Sequence, residues 1–134
     1  SVCTSTSDLS GKDLSYRNLT GADLSGKDLT DTILTGADLS GVNLSNAILI
    51  NVNLENATLE NANLLDANLD SANLSNADLR NILLVDTYLS NATLTGADLT
   101  GAILTGAILT GADLENAVLT DAVLNCVGHS VCVT

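Results

Sequence analysis

A leucine falls at every fifth position from Leu9 to Leu124, twenty-four times without exception. The residues around it are nearly as regular. Two positions before the leucine stands Ala in 15 of the 24 units, and just before it mostly Asp or Asn. Just after it stands Ser or Thr in 15, and the position after that is Gly, Asn or Asp in 21. The unit reads Ala-(Asp/Asn)-Leu-(Ser/Thr)-(Gly/Asn), and a repeat this dense decides the architecture before any other signal.

A period of five suits neither regular element. Five α-helical steps rotate each leucine by about 140° from the last, which girdles a helix and leaves no stripe. On a flat strand side chains alternate with period two, so an odd spacing puts successive leucines on opposite faces. The chain must bend once per unit, and the Gly/Asn/Asp position supplies the bend because those residues tolerate positive φ. If each unit turns a quarter circle, four close one coil and twenty-four make about six. Stacking at the ~4.8 Å inter-strand spacing gives a rod on the order of 29 Å long. The leucine and the small residue two before it face inward; the other three positions face out.

The run Ala62-Asn63-Leu64, Ala67-Asn68-Leu69, Ala72-Asn73-Leu74, Ala77-Asp78-Leu79 resembles the A(D/N)LXX motif of the pentapeptide-repeat family, over residues 7–126. The fold this resemblance implies is all-β, a right-handed quadrilateral β-helix; the handedness comes from the resemblance alone. Residues 1–6 then form an N-terminal extension, 7–126 the repeat domain and 127–134 a C-terminal cap.

Composition fits a narrow core: the chain is 46% apolar but has no Phe, Trp, Met or Pro and only two Tyr. Small uniform side chains fill only a thin interior at normal packing density. The formal net charge of −12, with Lys12, Arg17, Lys27 and Arg80 as the sole strong bases, argues against nucleic acid and anionic membranes, which need a basic footprint. No stretch approaches the roughly 20 apolar residues of a membrane helix. No signal peptide is expected, and a start at Ser1 without Met fits a processed N-terminus. With one histidine, His129, no nucleophile–base pair and a filled interior, no enzyme and no cofactor are expected.

Departures from the consensus carry the rest. Ser7, Lys12 and Arg17 take inward slots in the first coil, as a polar N-terminal end would require. Lys27 does so one coil later and is expected to distort the backbone locally. Thr32 and Thr87 take the Ala slot and can satisfy their hydroxyls on nearby backbone; Val42, Val52 and Ile82 swell the core. Sorted by side, Leu83, Ile103 and Val123, with Leu65 and Val85, fall on one side. Ile48, Tyr88 and Ile108, with Ile50, fall on the next. Such an apolar edge of the later coils is a candidate interface for self-association or for another protein. The other two sides carry Asp38, Asp78, Asp98 and Glu60, and Asp13, Glu55, Asp113 and Glu115. Resemblance to family members that mimic DNA and bind topoisomerases makes that role the alternative; the short length and the absence of Phe at the centres count against it. Thr95, Thr100, Thr105 and Thr110 fall on four different sides, so no flat ice-binding array forms.

In the tail, Cys126 and Cys132 are spaced for a disulfide if their Cα atoms come within about 7 Å. Val127, Val131 and Val133 are expected to fold over the last leucine ring. Cys3, on the order of 24 Å away by coil spacing, should be free or paired with another molecule. Cys126, His129 and Cys132 supply three metal-ligating groups where structural zinc wants four, so no metal is expected. A disulfide favours an oxidising compartment, and the resemblance favours periplasm or thylakoid lumen over cytoplasm.

Overall fold

The computed structural model describes residues 8–132; Cys3, Ser7 and Val133 lie outside them. The chain forms an all-β solenoid of parallel bridges. Every bridge but the last joins residue i to i+20, as in Asp8–Asp28–Ile48–Asn68–Tyr88–Ile108, so each coil consumes four pentapeptides. The residue just before each leucine makes the bridge. The bridges define four sides, headed by Asp8, Asp13, Asn18 and Asp23 and here called A to D in chain order.

The consensus is explained by following the five backbone N–H groups of one unit. Around Leu54, the leucine and corner amides donate forward to the next coil (to Asn73 O at 2.7 Å, and from Asn56 to Ser75 O at 3.0 Å). The ladder amide of Thr58 donates backward to Ala37 O at 3.0 Å, and the Ala57 amide closes a turn onto Leu54 O at 3.0 Å. The fifth amide, just after leucine, is left to a side chain. Glu55 N donates to Asn53 Oδ1 at 3.0 Å, the Asx-turn bond. Where Ser or Thr follows, its hydroxyl adds a second bond, as from Ser75 Oγ to Asn73 Oδ1 at 2.6 Å. Asp or Asn before the leucine thus serves the backbone, and a hydroxyl after it adds a bond to the same acceptor.

At the corners φ is positive throughout, from Gly11 to Asp121, including Tyr16 and Ser71, the non-consensus residues at that position. An i→i+3 bond with positive φ only at the third residue defines a type II turn. Asn61, at φ 63°, illustrates the demand: Asn61→Val should destabilise by about 1 kcal/mol, because a β-branched residue resists the left-handed region, whereas Asn61→Gly should be close to neutral. Thermal unfolding of the two variants checks this, and an equal loss in both would refute the turn assignment.

Inside, Leu9 through Leu109 are buried, with alanines packed between them. The last ring, Leu114, Leu119 and Leu124, is only partly buried. Thr32 and Thr87 are fully buried and donate to Leu9 O at 3.0 Å and Leu64 O at 2.8 Å. No buried side-chain N or O among the described residues lacks a partner. Lys12 and Arg17 are exposed and Lys27 half-buried. The expected distortion at Lys27 does not occur: its amide closes the usual turn onto Leu24 O at 3.2 Å, and its carbonyl accepts from Ile48 N at 2.9 Å. Its charge helps hold the Asp23 carboxyl down, behind the larger effect of the Ser25 hydrogen bonds.

The register breaks once. The last bridge joins Ile108 to Val127, an offset of nineteen. One corner residue is skipped after Leu124, so Cys126 is buried as an inward residue and Val127 becomes a ladder residue. Val127 therefore stands outside, not over the leucines; Val131 and Cys132 pack against the core there. Cys126 and Cys132 are joined by a disulfide with Cα atoms 5.0 Å apart.

Candidate interaction surface

Sides B and C are polar. On C, Asp38, Asp78 and Asp98 stand in one column, with Thr58 between the first two. Arg80 lies against Asp78 at 2.7 Å and Glu60 at 3.2 Å, which neutralises the middle of that column. The Arg80 hydrogen bond lowers the Asp78 carboxyl below its usual range, and the same contact raises the Arg80 guanidinium. Apolar residues on these sides are solitary: Ile33 stands between Asp13 and Asn53, and Val118 follows Asp98.

Asp8, Asp13, Asp23 and Asp38 are likewise held below the ordinary carboxyl range, first by the hydroxyl of the serine two residues on and then by its amide. Carboxyls depressed in this way favour folding above their unfolded pKa of about 3.9. That help is lost as pH falls through the lower folded values. Ser40→Ala should move the Asp38 titration upward, read from its carboxyl carbon by NMR. An unmoved titration would refute the hydroxyl as the main cause.

Sides D and A meet along one corner, and there the outward character changes. Leu83, Ile103 and Val123 follow one another on D; Tyr88, Ile108 and Val127 do so on A. Tyr88 is 47% exposed, Ile103 40%, Val123 45% and Val127 57%; Leu83 and Ile108 are half-buried. Val85, with Leu65 one coil below it, fills the corner between the two columns. Ile48 and Ile50 lie further down side A, separated from Tyr88 by Asn68 and Asp70. Val127 escaped the sequence reading because strict five-residue counting puts it in an inward slot. The Gly128 that follows, at φ 88°, marks where the repeat gives way.

These apolar residues occupy the position where Asp or Asn normally caps the amide two residues on. Among the described residues, the amides of Val85, Thr105 and Thr110 have no hydrogen-bond acceptor, following Leu83, Ile103 and Ile108 in turn, and those of Thr35, Glu60, Thr95 and Thr120 on sides B and C are alike in this. At Tyr88 the loss is repaired from the coil below, where Asp70 Oδ1 accepts from Ser90 N at 3.0 Å.

The family model for pentapeptide repeats matches residues 13–49, 47–84 and 82–121. The chain is a pentapeptide-repeat protein. Solved pentapeptide-repeat structures resemble it. One, from the cyanobacterium Cyanothece 51142, is 32% identical, with 92% of each chain covered and a TM-score of 0.58. Another, from the thylakoid lumen of Arabidopsis thaliana, is 30% identical, covering 86% of this chain and 70% of that one, with a TM-score of 0.52. QnrB1, a plasmid-mediated fluoroquinolone resistance protein, shares the fold at 21% identity, with 89% of this chain and 71% of that one covered and a TM-score of 0.59. No curated protein matches. Among the described residues of this pentapeptide-repeat protein, no helix is long and apolar enough to cross a membrane.

Proposed function

We propose that this pentapeptide-repeat protein is a non-enzymatic interaction rod whose D–A edge, over the later coils, is the contact surface for another protein. The rod is read as a right-handed helix of six coils from residues 7–126, with 1–6 as an extension and 127–134 as a cap that the Cys126–Cys132 disulfide secures. The run of exposed apolar residues along this corner carries the functional reading. Leu83, Ile103 and Ile108 add nothing to the leucine column, and three apolar residues in succession on each of the two columns set this edge apart from sides B and C, where apolar residues are solitary. A contiguous exposed apolar strip is unfavourable in an isolated rod and favourable when a partner covers it.

The test compares wild type with a Tyr88→Asp/Ile103→Asp variant as bait in an extract of the native host. Both positions are exposed, so the variant should keep its unfolding temperature within a few degrees. A protein retained by wild type and lost by the variant supports the reading; identical recoveries from both would refute it. The DNA-mimic alternative has less support, since Arg80 interrupts the acidic column on side C. An extracytoplasmic site, periplasm or lumen, is supported by the disulfide and by the likeness to the lumenal structure.

A further inference from the structure

Resting on that reading of the D–A edge, we infer that its partner is a different, cationic protein and not a second copy of this chain. The corner between Tyr88 and Leu83 is not purely apolar. Asp66 and Asp86 stand there one above the other, both exposed, linked through the Asp66 N to Val85 O bond of 3.1 Å. Gly106 continues the same corner, and its missing Cβ leaves room for the Asp86 carboxylate, which leans over it. The apolar strip thus has two carboxylates at its foot, Asp86 at its lowest coil and Asp66 one coil below, between Asn63 and Asn68.

A two-fold contact through this edge would set like carboxylates against each other if the rods ran parallel, and would strip water from them against the apolar upper end if they ran antiparallel; both disfavour the pairing. The later coils have nothing of their own to answer them, since Lys12, Arg17 and Lys27 all lie in the first two coils. Arg80 is the only Lys or Arg beyond Lys27, and it is held on side C by Asp78 and Glu60. Area points the same way. Three coils at ~4.8 Å spacing across two half-sides present roughly 200 Å², against about 800 Å² per partner in a stable protein–protein contact. The edge is therefore a local docking site for an apolar segment carrying Lys or Arg to meet Asp66 and Asp86. The unmet amides of Val85 and Thr105 stand ready for its acceptors.

The experiment has two arms. In the first, the solution masses of wild type, Asp66→Asn/Asp86→Asn and the same double variant with Tyr88→Asp are measured at low and high salt. Wild type should be monomeric, the double variant should associate, and the added Tyr88→Asp should reverse that. In the second, an amphipathic peptide of Leu and Lys is titrated into labelled wild type, with a Leu/Glu peptide of equal length as control. The Lys peptide should shift amides over 83–88 and 103–108, with about tenfold weaker binding to the double variant; the Glu peptide should leave them unmoved. A wild-type dimer abolished by Tyr88→Asp would overturn the choice of partner and leave the edge standing as an interface, as would binding of the Glu peptide there. Lys-peptide shifts spread equally over Asp38 and Asp98 would overturn the site, reducing the effect to net charge. No shift on the D–A edge with either peptide, from a monomer throughout, would overturn both this inference and the interaction reading.

Discussion

Leu69→Ala should lower the unfolding free energy by about 3 kcal/mol and the unfolding temperature by roughly 10 °C. Leu69 is fully buried in the middle of the leucine column. Its neighbours cannot close the gap, because each is fixed by backbone bonds to the coils on either side: Leu69 N itself donates to Tyr88 O at 2.7 Å. In a solenoid each coil is stabilised chiefly by its neighbours, so a hole in the middle weakens two interfaces at once. Leu119→Ala, in the partly buried last ring, should cost less than half as much. Thermal melts followed by far-ultraviolet circular dichroism decide the matter. Equal losses at the two sites would show that burial in the column does not set the stability of this rod.

Reduction of the Cys126–Cys132 disulfide, or Cys132→Ser, should cost about 2 kcal/mol by the loop-closure argument, concentrated at the C-terminal end. Few bonds hold that end otherwise. Beyond the last bridge at Val127, the hydrogen bonds of the described tail are local: Cys132 N to His129 O at 3.1 Å and Val131 N to His129 Nδ1 at 3.2 Å. The disulfide is the covalent link that returns Cys132 to the column through the buried Cys126. Hydrogen exchange should quicken over 127–132 and in the last ring while the amides of the middle coils stay protected. Uniform loss of protection along the rod, or none, would contradict this division of stability.

The leucine column, the corners and the four-sided sorting were legible in the sequence because each follows from one period and one backbone demand. Even Tyr16 and Ser71, outside the corner consensus, adopt the corner conformation, since the register on both sides leaves them no other. Two features were not legible. The skipped residue after Leu124 left no trace in composition, and strict counting misplaced both Cys126 and Val127. The accommodation of Lys27 was not legible because a periodic pattern locates a Cα but not the end of a long side chain, and here the residue is half-buried with its backbone bonds unchanged. The apolar edge was found from the pattern. Its consequences for the amides of Val85, Thr105 and Thr110 emerge only when every N–H is followed to its acceptor. The Asp66–Asp86 pair needed the corner geometry, since twenty residues separate the two along the chain.

With no tryptophan in the chain, and Tyr16 and Tyr88 standing 78% and 47% exposed, intrinsic ultraviolet emission is nearly blind to loss of the leucine column. It is instead sensitive at the surface. Tyr16 sits at a first-coil corner against Gly36, far from the D–A edge, and gives a constant background. Quenching or enhancement of the remaining phenol signal then serves as a built-in optical gauge of whatever settles beside Tyr88, with no dye or label attached.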